Sequence, residues 1–158
     1  MIKSTISGIR ELIDEQRLLA LAVNVEGMPY AGLLPFAVLP GRSGVLIHAS
    51  ELSRHSKGLS DGGSASVLLH EQYGPDKDPL QIKRLTFECR VKPLERKSKA
   101  WEDARDSYME RFPKSRITFK LRDFTLYRLE FQRGLYVAGF GRAVDIEPEE
   151  IPLLASDD

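Results

Sequence analysis

The chain has 158 residues, and 23 Lys plus Arg balance 23 Asp plus Glu, so its formal net charge is zero. That length suits one domain with its own core, and the charge balance supplies no basic field for a nucleic acid or an anionic membrane surface. Cys89 is the single cysteine, which excludes an internal disulfide and any multi-cysteine metal site. The apolar runs are too short and too interrupted to span a bilayer. The N-terminus has no signal-peptide core, so the expected location is the cytoplasm.

In chain order, residues 4–16 read as an amphipathic helix, with Ile6, Ile9, Leu12 and Ile13 on one face and Arg10, Glu11, Asp14 and Glu15 on the other. Two near-continuous apolar strands follow, 18–25 and 30–39, joined by a turn at Glu26–Pro29. A second turn at 40–44 leads to a third strand, 45–49, and then to a short helix over 53–61. Residues 65–70 form the next strand and 72–79 a loop. A long strand is expected over 80–94, with Cys89 buried and inert within it. Ser98 caps a helix over 99–111, which ends at Phe112-Pro113. Residues 115–121 fit no period. An alternating strand, 124–131, is expected to turn back at Gln132–Gly134 into a last strand over 135–146. An acidic tail, 147–158, completes the chain. Strands in hairpin order with three helices argue for a mainly β fold, an antiparallel six- to seven-stranded barrel with helical decoration.

Chemistry concentrates at the junction of the third strand and the short helix, in His48-Ala49-Ser50-Glu51-Leu52-Ser53-Arg54-His55-Ser56-Lys57. A helix start offers unpaired N–H groups and partial positive charge, so hydroxyls and cations there make a seat for a phosphate. The competing reading is that Ser53 only caps the helix and the charges are solvated. His48, His55 and His70 show no zinc-ligand spacing, and His48 and His70 fit structural or solvent-facing strand ends. Gly139-Phe140-Gly141 sits in a strand-like run with no helix after it, which points to a bulge, a close approach or a barrel corner rather than a phosphate cradle.

Four segments, in this order, resemble the pyridoxamine 5′-phosphate oxidase-like FMN-binding split barrels, closest to the HugZ-type haem-utilisation branch. They are Met28–Gly32, Val45–Leu59, Arg84–Val91, and Leu126–Leu129 with Gly134–Ala143. The resemblance runs from about Ile9 to Ile146 and implies one split-barrel domain over 1–146. It also implies a homodimer with FMN at the subunit interface; a deazaflavin or haem is the alternative cofactor. Carried over by position, Ser50, Ser53, Arg54 and His55 approach the FMN phosphate, with Lys57 nearby. Arg84 reaches the cofactor from the long strand, and the flavin ring lies against Leu33–Phe36. The implied function is an FMN-dependent oxidoreductase acting on an unidentified small molecule. The alternatives are a haem-binding or haem-degrading protein, or a non-catalytic flavin store. No catalytic acid or base is singled out. The Trp- and Arg-bearing C-terminal motif of the true oxidase has no counterpart, so vitamin B6 synthesis is not implied. The chain departs from many relatives at Gly58, Gly62-Gly63 and Cys89.

Overall fold

The computed structural model describes residues 1–157, apart from the side chains of residues 61 and 62. The elements are α1 (Lys3–Glu15), β1 (Leu18–Val25), β2 (Met28–Pro35), β3 (Ala37–Val38), β4 (Gly44–Ser50), α2 (Arg54–Gly62), β5 (Ser64–His70), β6 (Arg84–Pro93), α3 (Lys99–Arg111), β7 (Phe124–Val137) and β8 (Ala143–Ile146). The strands form one antiparallel sheet in the order β2-β1-β5-β6-β7-β4-β3, with β8 added beside β7. The two edges, β2 and β3, are consecutive in the chain and separated only by Phe36, so the sheet must curl into a split barrel for one segment to serve both. Phe36 is fully buried at that bend, and its N–H donates to the Arg17 carbonyl oxygen at 3.1 Å. The break at Phe36 and the separate β8 raise the count to eight strands from the six or seven anticipated.

The barrel core is built from the inward residues of every long strand, among them Leu21, Ile47, Leu69, Leu85, Phe87 and Leu129. One end is closed by α1, whose Ile9, Leu12 and Ile13 join that core as the helical period requires. A second cluster lies outside the barrel, where Trp101, Ala104 and Tyr108 of α3 and Phe119 pack on Leu46 and Leu126.

Four local expectations need correction. The anticipated turn at Gln132–Gly134 does not occur: β7 runs for 14 residues, and a register shift opposite Glu88/Cys89 absorbs Gln132 as a bulge. Gly134 is required there because a Cβ would meet Phe87 and the Thr86 carbonyl oxygen at 2.7 Å. The turn falls instead at 138–142, where Gly139 and Gly141 take φ of 146° and 75°. Residues 79–81 and 113–120 are 3-10 turns, not strand or featureless loop. Finally, the segment after Ile146 does not stand apart from the 1–146 unit. Pro148–Leu154 is a 3-10 helix that buries Ile151 and Leu154 in the same core as Ile9 and Ile13. Arg42 pins it from below, bidentate to Asp14 (3.0 and 2.7 Å) and donating to the Leu154 carbonyl oxygen at 2.9 Å.

Candidate functional site

The junction singled out in the sequence is the tip of α2. β4 ends at Ser50, and Ser53 occupies the N-cap position in extended conformation. Its hydroxyl makes no capping hydrogen bond among the described residues. The first-turn N–H groups of Arg54 and His55 therefore project at the tip without helical partners. The Arg54 guanidinium lies over the Tyr30 ring of β2, 5.8 Å from its centroid. The His55 ring is wedged against the β2 backbone, where a Cβ on Gly32 would come within 3.2 Å of its Nδ1. Burial pulls the His55 pKa below its usual value, and its Nε2 is enclosed with no hydrogen-bond partner among the described residues. Ser53, Arg54 and His55 are thus brought together.

Ser50 and Lys57 do not join them in the same way. The Ser50 hydroxyl donates to Asp123 Oδ2 at 3.2 Å and accepts from the Leu52 N–H. Lys57 is exposed and points to Glu26 at 3.8 Å, toward the β1–β2 hairpin. The carboxylate of Asp123 near Ser50 was not legible in the sequence. Ser56, a hydroxyl of the same segment, turns inward instead, where its buried hydroxyl donates to the Ser50 carbonyl oxygen at 2.6 Å. His48, beneath the tip, is a core residue. It stacks on Phe119 at 4.0 Å and meets Thr118 Oγ1 at 3.3 Å. Burial, aided by the charge of Arg96, pushes its pKa down to about 4, so the ring is neutral.

Arg84 lies elsewhere. Ser50 pairs with Phe124, the first residue of β7, whereas Arg84 pairs with Val137, the last. Across β6 from Val137, Arg84 faces His70 at the end of β5. Its Nη1 donates to the Ile82 carbonyl oxygen at 3.0 Å, and the remaining guanidinium donors have no partner among the described residues. His70 Nδ1 stands 2.6 Å from the Glu71 carbonyl oxygen. Residues 71–83 fold back on this strand end: the Glu71 N–H donates to the Lys83 carbonyl oxygen and the Lys83 N–H to Glu71 Oε1, both at 3.0 Å. Together they enclose an open, predominantly apolar cavity of about 390 Å³ walled by Leu68, Tyr73, Leu80 and Ile82, with His70 and Arg84 at its rim. That is within the size range of small-ligand sites.

Comparison with known proteins decides the family. The chain is 30% identical over 145 residues to the haem oxygenase HutZ of Vibrio cholerae, a match covering 90% of this chain and 81% of HutZ. The chain belongs to the HugZ-type split-barrel branch. The structure of HutZ, described as the haem storage protein of Vibrio cholerae, superposes with a TM-score of 0.71 at 28% identity, over 80% of this chain and 89% of that one. A haem-binding protein from Mycobacterium smegmatis superposes at 0.85 with 21% identity, over 97% of this chain; the chain spans 62% of that protein. A pyridoxinephosphate oxidase-family protein of Clostridium acetobutylicum matches at 0.71 and 14% identity over 96% of this chain and 99% of that one, a likeness of fold. No family model matches.

Within this split barrel the sheet presents an outward row in register, Leu33–Ala20–Leu68–Thr86–Leu135, across β2, β1, β5, β6 and β7. Leu33 is 70% exposed and Leu135 40%. Of Leu33–Phe36, which the resemblance places against a flavin ring, Leu33 and the half-buried Pro35 alternate outward, whereas Leu34 and Phe36 are buried. Among the described residues no group of three or more His, Cys, Asp or Glu is placed to hold a metal ion. No described helix is long and apolar enough to cross a membrane.

Proposed function

We propose that this chain is a haem-binding protein that works as a split-barrel homodimer. The similarity to HutZ over 90% of the chain carries the reading. HutZ is described both as a haem oxygenase and as a haem storage protein, and binding haem is common to the two.

The residues fit such a group. A porphyrin needs an apolar wall for its ring and cations for its two carboxylates. The cavity at the β5–β6 end offers Leu68, Tyr73, Leu80 and Ile82 as wall and Arg84 at the rim. The outward apolar row beside it is a surface that a second copy would cover, which supports the dimer and would deepen the cavity. When bound, haem supplies the iron redox chemistry; the chain supplies an apolar, partly enclosed seat and a fixed guanidinium.

Titrating the purified chain with hemin tests the reading. A saturable shift of the Soret band, with one site per subunit and a dimer by size-exclusion chromatography, supports it. A spectrum that stays that of free hemin overturns it.

A second reading has its own observation. The α2 tip, with an uncommitted Ser53 hydroxyl, two free N–H groups and Arg54, is a donor set suited to the phosphate of FMN. In that reading Ser53, Arg54 and His55 hold the phosphate, with Ser50 and Lys57 at its periphery. Arg84 belongs to this site only if it comes from the other subunit, since within one chain it lies at the opposite end of β7.

A further inference from the structure

We propose that His70 is the axial ligand of the haem iron, through Nε2, and that Arg84 beside it holds a haem carboxylate. The inference rests on the haem reading above and names the side chain through which the iron is held.

The chain has three histidines, and the structure separates them. His48 is sealed between Phe119, Phe124 and Tyr108. His55 has its Nε2 enclosed and its Nδ1 beside the β2 backbone at Gly32, away from the apolar cavity. His70 is exposed and stands at the rim of the most apolar cavity described, on the outward side of the sheet with Leu68. The Glu71 carbonyl oxygen can only accept, so His70 Nδ1 carries the proton and donates to it at 2.6 Å. In the neutral ring that leaves the lone pair on Nε2. A carbonyl behind the distal nitrogen is the usual means by which a protein fixes the tautomer and orientation of a metal-binding imidazole.

The residue that carries this carbonyl is held. His70 ends β5 in register with Arg84, and the Glu71 N–H is locked to the Lys83 carbonyl oxygen at the next step. The imidazole is therefore mounted on a strand end whose backbone is tied to β6 and the residue before it. Cross-strand pairing places Arg84 beside it on the same face, with one guanidinium nitrogen anchored to Ile82 and the others free for a carboxylate. Ring ligand, anion partner and apolar wall thus meet on one 390 Å³ cavity.

The test titrates the full chain with hemin and, separately, with iron-free protoporphyrin IX, in wild type, His70→Gln and His55→Gln. The expected result is at least tenfold weaker hemin binding and an altered ferric Soret position for His70→Gln. Protoporphyrin IX affinity should not change, and His55→Gln should behave as wild type. Free imidazole should restore the wild-type spectrum to His70→Gly, which guards against a folding artefact. A His70→Gln hemin spectrum and affinity equal to wild type would overturn the assignment while leaving the haem reading standing. An equal loss for both porphyrins would also overturn it, showing packing rather than ligation. Failure of the wild type to shift the Soret band at all would remove the haem reading and this ligand with it.

Discussion

The α2 tip and the β5–β6 cavity present the same two groups, an imidazole and a guanidinium, and prepare them for different work. At the tip, His55 turns one nitrogen into a closed space and lays the other along Gly32, while Arg54 rests on Tyr30. At the cavity, His70 gives Nδ1 to a backbone carbonyl and keeps Nε2 open, and Arg84 is braced by Ile82. Residue type does not separate the two sites; the partner behind each side chain does. A braced and open pair is ready for a ligand that needs direction, whereas the tip offers diffuse positive charge and backbone donors, which suit a small anion.

The largest effect that sharpens this contrast comes from the support of the tip. His48 is neutral in the fold because burial lowers its pKa to about 4, whereas an unfolded chain titrates it near its ordinary value of 6.5. As pH falls from about 6.5 to 4, the unfolded chain takes up a proton that the folded one refuses, so stability falls through that window by on the order of 2 kcal/mol and is unaffected above it. Urea midpoints at pH 7.5 and pH 5 should differ in wild type and differ less in His48→Phe, where only the smaller contribution of the partly buried His55 remains. Equal midpoints in the wild type would show that the ring is not enclosed as described.

Next in size is the tip itself. Arg54→Ala combined with His55→Ala should weaken FMN at least tenfold, about 1.4 kcal/mol, without changing hemin affinity. Isothermal titration with each ligand checks it, and an unchanged FMN curve removes the phosphate seat. A parallel loss of hemin would merge the two sites into one. The smallest effect is at Lys57, whose 3.8 Å contact with Glu26 is solvent-exposed on both sides. Lys57→Ala should cost less than about 0.5 kcal/mol and change neither titration. A measurable loss of FMN would return Lys57 to the site.

Most of the barrel was legible because its strands are apolar on the inward positions and are punctuated by strong turns such as Glu26-Gly27, both at positive φ. The faults arose where long-range packing overrode local signals. Gln132–Gly134 reads as a turn, yet Gly134 is there to let β7 pass close to Phe87, and the chain continues straight. Residues 113–120 have no clean period because Phe119 alone is buried, stacked on His48. Pro148–Leu154 reads as acidic tail because only Ile151 and Leu154 are buried, and the core they join is built from segments remote in sequence, α1 and β7 among them. The tip was legible as a cluster of hydroxyls and cations. Its carboxylate neighbour Asp123 was not, because the β4–β7 pairing that brings it near is remote in sequence.

By itself, then, the sequence determined the antiparallel barrel, its three helices and a helix start rich in anion-binding groups, since hydrophobic period, caps and turns act over a few residues. Only the tertiary structure decided that Arg84 leaves that cluster, that it pairs with His70 instead, and that residues 71–83 close an apolar wall around them. Those outcomes depend on strand register between segments far apart in the chain, and register is set by the packing of the whole barrel core.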